Sequence, residues 1–130
     1  MFTLRKWITT IFILSILLSG CASLATPAKP QAETVNITLN TNPKTPLVGN
    51  NEIILEIQDP NGQPLTGAKV DVSADHTDMS GMIMNGLATE QGRGQYAITA
   101  DFSMSGTWKI TVTVQKDDLE IKRDFQMIIP

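Results

Sequence analysis

The chemically unusual residues of this 130-residue chain gather in one stretch, Ala74-Asp75-His76-Thr77-Asp78-Met79-Ser80-Gly81-Met82-Ile83-Met84-Asn85-Gly86, which holds the sole histidine and three of the six methionines. Thioether sulfur together with imidazole nitrogen suits Cu(I) better than Zn²⁺ or Mg²⁺, because soft donors select soft cations. Met82 and Met84 are two apart, so an extended backbone sends both side chains to the same side, about 7 Å from one another. Met79 could join them through a turn at Ser80-Gly81. His76 would then supply nitrogen, with Asp75 or Asp78 accepting from its other ring N–H. The same residues also suit plain packing: unbranched methionines fill irregular gaps well, and His76 would then be a solvated loop residue. The residues alone leave both readings open.

Catalysis fits poorly. Ser73, Asp75 and His76 are triad residue types, yet they crowd into one segment with no nucleophile elbow or oxyanion glycine loop beside them. Asp75, His76 and Asp78 lack any accepted zinc spacing. Gly92-Arg93-Gly94 sits in a turn between strand-like runs and does not read as a phosphate cradle. The expectation is that the chain is not an enzyme.

Cys21 is the only cysteine. Ahead of it, Arg5 and Lys6 precede an apolar run from Trp7 to Leu18, too short to span a bilayer comfortably and built as a secretory signal over residues 1–20. Leu18-Ser19-Gly20-Cys21 resembles the lipobox of bacterial lipoproteins, which implies cleavage before Cys21 and its acylation by palmitate-type chains. Each buried acyl methylene is worth about 0.8 kcal/mol, so several chains would hold the protein to a membrane on its extracytoplasmic side. With the one thiol consumed, no disulfide is available. Asn36-Ile37-Thr38 matches a glycosylation sequon, incidental in a bacterial lipoprotein.

Cleavage would leave 110 residues, enough for one domain and too few for two. Removing Arg5 and Lys6 takes the 10 basic residues to 8 against 13 acidic ones, a net charge of −5. An acidic chain without a basic cluster argues against nucleic acid and offers no polybasic patch to anionic lipid. Residues 21–34 comprise Cys21 and a flexible linker of Ala, Ser, Thr, Pro and Gln. The domain is expected over 35–130.

What must position the methionine stretch is a set of strands. From Val35 onward apolar residues recur at every second position, the period of a sheet with one face buried. Val35, Ile37 and Leu39 alternate with polar residues, as do Ile53, Leu55 and Ile57, with Ile54 the exception. Val70 and Val72 follow, then a weak candidate over 86–89, then Tyr96, Ile98, Ala100 and Phe102. Trp108, Ile110, Val112 and Val114 form the cleanest run, and Ile121, Phe125, Met127 and Ile129 the last, with Arg123 dissenting. Turn residues separate the runs at Gly49-Asn50-Asn51, Asp59-Pro60-Asn61-Gly62, Gly92-Arg93-Gly94, Ser105-Gly106 and Lys116-Asp117-Asp118. Seven short strands predict an all-β, immunoglobulin-like β-sandwich, antiparallel throughout, with an up-and-down barrel as the alternative.

Pro46 to Gly49, Asp59-Pro60-Asn61-Gly62-Gln63-Pro64-Leu65-Thr66-Gly67-Ala68-Lys69-Val70, the methionine stretch, Gly94-Gln95-Tyr96 and Met104-Ser105-Gly106-Thr107-Trp108 come in an order that resembles the YtkA-like domain, related to FixH-like proteins. The resemblance covers about residues 35–130. It implies an exported or membrane-anchored sandwich domain, and its FixH-like relatives are associated with copper delivery to respiratory oxidases. Carried over, that role falls on Met79, Met82 and Met84, with Met104 a further sulfur if its turn folds near the loop. Members often carry Met-Pro-x-Met with a histidine close by, whereas this chain reads Met79-Ser80-Gly81-Met82 with His76 upstream. The expected function is a lipid-anchored accessory module of the cell envelope that binds or delivers Cu(I). Its alternative is a metal-free interaction domain serving an envelope transporter or respiratory oxidase.

Overall fold

The computed structural model describes residues 34–130. The expected signal over 1–20, the lipidation at Cys21 and the linker as far as residue 33 lie outside the described residues. Seven strands follow in order: β1 (Asn36–Asn42), β2 (Gly49–Gln58), β3 (Lys69–His76), β4 (Ile83–Gly92), β5 (Gln95–Phe102), β6 (Gly106–Lys116) and β7 (Leu119–Ile129). Among the described residues there is no helix, and so none long and apolar enough to cross a membrane.

Every pairing is antiparallel, and the strands lie in the order β1-β2-β5-β4-β3-β6-β7. Strand β4 makes the corner: Ile83 to Ala88 pair with β3, whereas Thr89 to Gly92 pair with β5. The nearly closed sheet thus folds into two facing layers. Ile53, Leu55, Tyr96, Ala100 and Phe102 of one layer bury against Val70, Val72, Ala74, Trp108, Ile110, Val112 and Val114 of the other. Full burial of each large aliphatic side chain favours folding by about 1.5–3 kcal/mol. The period-2 pattern therefore places one core and seven strands as expected.

Strand β4 departs from the expectation. The stretch from Ala74 to Gly86 reads as a break in the alternation, yet β3 runs through His76 and β4 begins at Ile83, leaving only Thr77 to Met82 as loop. The apolar pattern is inverted here. Met82, Met84, Gly86 and Ala88 turn inward, while Ile83 and Leu87 are 62% and 57% exposed on the outer face. Gly86 occupies an inward position because Ile98 fills its space: a Cβ there would come within 2.9 Å of the Ile98 Cδ1. Arg123, the dissenting residue of β7, is half-buried, and its guanidinium donates to the Val35 carbonyl at 3.4 Å.

The two ends of the sandwich are different. At one end lie the chain's entry at Val35, the β2–β3 connection and the β4–β5 turn. There Asp59 Oδ1 accepts from Asn61 N and Gln63 N, each at 2.9 Å, closing an Asx turn. Gly94, at φ 74°, backs onto the β2–β3 connection so closely that a Cβ would stand 2.6 Å from the Ile57 carbonyl oxygen. At the other end are the β1–β2 loop (43–48), the β3–β4 loop (77–82) and the β5–β6 turn (103–105).

Candidate functional site

The β3–β4 end collects the residues singled out for chemistry. Antiparallel register sets His76, the last residue of β3, against Trp108 near the start of β6. The imidazole meets the indole edge-on, centroids 5.1 Å apart and planes at 83°, and Phe102 meets the same indole at 5.1 Å and 63°. Such T-shaped contacts set ring edge against ring face. His76 is buried, not a solvated loop residue.

Both ring nitrogens of His76 have partners. Nδ1 accepts from the Asp78 backbone N–H at 3.2 Å, and Nε2 lies 3.1 Å from the Ser105 carbonyl oxygen. This network assigns the neutral tautomer with the proton on Nε2, which donates to Ser105. The acceptor opposite the imidazole is therefore a backbone carbonyl, in place of the Asp75 or Asp78 carboxylate expected there. Gly106 lies directly against the ring: at φ 128°, its missing Cβ would run into His76 Nε2. His76 could bind a metal only by giving up one of its two hydrogen bonds.

The methionines divide. Met79 is 47% exposed at the loop tip, whereas Met82, Met84 and Met104 are half-buried against the core. Met82 is fixed at both ends: its carbonyl accepts from His76 N at 3.2 Å, and its sulfur lies 3.8 Å from Ser103 Oγ. Met104 is the next residue after Ser103, and its carbonyl accepts from Trp108 Nε1 at 3.2 Å. The β3–β4 loop and the β5–β6 turn thus abut, bringing Met82, Met104, His76 and Trp108 to one end. Met84 lies one inward position further along β4, opposite Ala74. Among the described residues no three His, Cys, Asp or Glu side chains converge as a metal-ligand set. A cation at this end would depend on thioether sulfur, whose softness fits Cu(I).

Sequence reasoning missed Ser103, Ser105 and Gly106 as the partners of Met82 and His76. The signal available was Ser105-Gly106-Thr107-Trp108, a small residue and a glycine immediately before the most regular strand.

At the opposite end Tyr96 ties β5 to the β2–β3 connection. Its hydroxyl donates to Leu65 O at 2.9 Å and accepts from Ala68 N at 3.1 Å. Burial pushes the phenol above its ordinary pKa of 10.0; the Ala68 hydrogen bond opposes this and the Glu90 carboxylate adds to it.

Comparison with known proteins follows the same lines. The family model described as YtkA-like matches residues 29–113. No curated protein matches the chain. Among solved structures, the crystal structure of the PmoD soluble domain from Methylocystis sp. ATCC 49242 (Rockwell) is similar, with a TM-score of 0.50 and 12% identity over 75% of this chain and 92% of that one. At that identity the likeness shows the shared β fold alone. A match over more than half the chain establishes that this protein belongs to the YtkA-like family.

Proposed function

We propose that the protein is a non-enzymatic accessory module, lipid-anchored through Cys21 outside the cytoplasm, that binds Cu(I) through thioether sulfur at its β3–β4 end. The observation that carries the reading is the abutment of two methionine-bearing segments, with the Met82 sulfur 3.8 Å from Ser103 Oγ and Met104 next in sequence. Met82, the last residue of the loop, and Met84 in β4 both turn inward, and Met79 is exposed at the loop tip where an incoming ion would first meet sulfur. Thioethers are neutral and cannot be protonated away, so they hold a soft monovalent cation without needing a charged pocket. In this reading His76 supports the loop through Asp78 and Ser105, leaving Met79, Met82, Met84 and Met104 as the donors. The first described residues of the domain lie at the end opposite the methionines.

The test is a Cu(I) titration of the purified protein in competition with a chromophoric chelator, beside a variant with Met79→Leu, Met82→Leu and Met84→Leu. Equal affinity of the two proteins removes the metal reading.

A second reading has its own support. Leu47, Val48, Met79, Ile83 and Ile128 are large apolar side chains exposed at this same end. Exposed apolar clusters of this kind mark protein-interaction surfaces, which would make the module a docking domain for an envelope transporter or oxidase component. Loss of Cu(I) binding in the leucine variant separates the two, because leucine keeps the apolar surface.

A further inference from the structure

The nearly closed sheet ends in two edge strands, β1 and β7, and they are unlike. Strand β7 carries Glu120, Lys122 and Asp124 outward and Arg123 inward. Charges on an edge, above all one pointing inward, block pairing with another strand. Strand β1 carries no charge of its own, although the Arg123 guanidinium reaches the Val35 carbonyl just ahead of it. Its sequence, Asn-Ile-Thr-Leu-Asn-Thr-Asn, is uncharged, and it pairs with β2 over seven unbroken positions, Asn36↔Gln58 to Asn42↔Glu52, without a bulge. A regular, uncharged edge with β-branched residues presents a row of backbone donors and acceptors to any extended chain of compatible side chains.

We propose that β1 is a homodimerisation edge, pairing antiparallel with β1 of a second copy in a register centred on Leu39. The strand is close to a chemical palindrome about that residue. Asn36 faces Asn42 and Thr38 faces Asn40, so the exposed face pairs hydrogen-bonding side chains with one another. On the inner face Ile37 meets Thr41, both β-branched, and Leu39 meets itself. Lys44, the first charged residue after the strand, comes opposite Thr34, so no like charges oppose.

Other registers lose on this count. Sliding the ladder by two residues one way brings Pro43 opposite Ile37, and proline has no N–H to donate. Sliding by two the other way leaves Thr41 and Asn42 opposite residues that precede the strand. Sliding by one sets the polar outer residues against the inner ones. A self-complementary edge of this kind closes a two-fold dimer and leaves no further β1 edge to propagate.

Apolar surface points the same way. Leu39 is half-buried and, with Pro46, Met127 and Ile128, forms the apolar part of a groove of about 420 Å³ whose polar lining is Asn40, Thr41, Lys44 and Gln126. Leu39 of the second copy would cover its rim. A seven-residue ladder buries less than the roughly 800 Å² per partner of a standard interface, so the dimer dissociates on dilution and forms where copies are concentrated.

The test is oxidative cross-linking of the full chain in intact cells. Leu39→Cys places a thiol opposite its own copy. Thr41→Cys, four rungs from its own copy, checks the register, Ile121→Cys probes the charged β7 edge, and the unaltered chain gives the background. The Leu39→Cys chain should cross-link at least tenfold above all three comparisons. Adding Thr38→Lys/Asn40→Lys opposes like charges on two rungs and should abolish the excess, whereas Thr38→Lys/Asn40→Glu sets opposite charges there and should restore it. Equal yield at Thr41 or Ile121, a yield no higher than that of the unaltered chain, or the same response to both charge patterns overturns the proposal. Sedimentation of the unaltered chain in detergent over a concentration series needs no substitution. A concentration-dependent dimer, lost in Thr38→Lys/Asn40→Lys, supports it; a monomer throughout overturns it.

Discussion

His76 rests against Gly106: the imidazole takes the space that any side chain at position 106 would need, and Nε2 reaches the Ser105 carbonyl at 3.1 Å. The glycine of the β5–β6 turn is thus the floor on which the last residue of β3 sits, 30 positions away in sequence.

Gly106→Ala should therefore destabilise the domain by about 1–3 kcal/mol, since it adds strain at φ 128° to a collision with a buried ring. Chemical denaturation of the variant measures it. Combined with His76→Ala the two losses should fall short of additive, because removing the ring relieves the collision. Full additivity would show that the imidazole moves aside at no cost.

Replacing Met79, Met82 and Met84 with leucine should cost less than about 1.5 kcal/mol per site, because leucine and methionine have similar volumes in a packed setting. Thermal or denaturant unfolding checks that the variant used in the Cu(I) titration is folded. A collapse of stability would make these sulfur-bearing side chains structural elements first.

Tyr96→Phe removes the hydroxyl shared by Leu65 O and Ala68 N, leaving buried backbone groups without partners, and should cost about 1–3 kcal/mol. The pH dependence has a definite sign. With the folded-state pKa raised above 10.0, the tyrosine is neutral in both states below pH 10 and its contribution is fully present there. As pH rises beyond 10 the unfolded chain ionises first, and stability is lost through the raised folded value. The phenylalanine variant should lack this alkaline decline when unfolding is followed from pH 8 upward.

Asn51→Ala should loosen the β1–β2 loop. The buried Asn51 amide donates to Leu47 O at 2.6 Å and Gly49 O at 2.8 Å and accepts from Leu47 N at 2.9 Å. Hydrogen exchange should quicken at Leu47 N–H, with a stability loss of about 2 kcal/mol. Unchanged exchange at that amide would mean that solvent already supplies the partner.

Most of the architecture was legible because burial on one face of a strand imposes alternation, and alternation survives in a bare sequence. Val35-Ile37, Ile53-Leu55-Ile57, Val70-Val72, Tyr96-Phe102 and Trp108-Val114 lie within or beside the strands their spacing implied. Strand β4 was the weak point. As the corner between layers it turns methionine, glycine and alanine inward, and it leaves Ile83 and Leu87 outside, so hydropathy reports the wrong face.

The sequence by itself determined the strand count, the turns between strands and the clustering of methionines around one histidine, all of which are local properties carried by residue type and spacing. Only the tertiary structure decided which strands became neighbours. That choice buried His76, gave both its nitrogens to Asp78 and Ser105, and brought Ser103 against Met82. Pairing β3 with β6 joins positions 32 to 46 residues apart, and it is settled by how two whole faces fill one core, which no window of neighbouring residues contains.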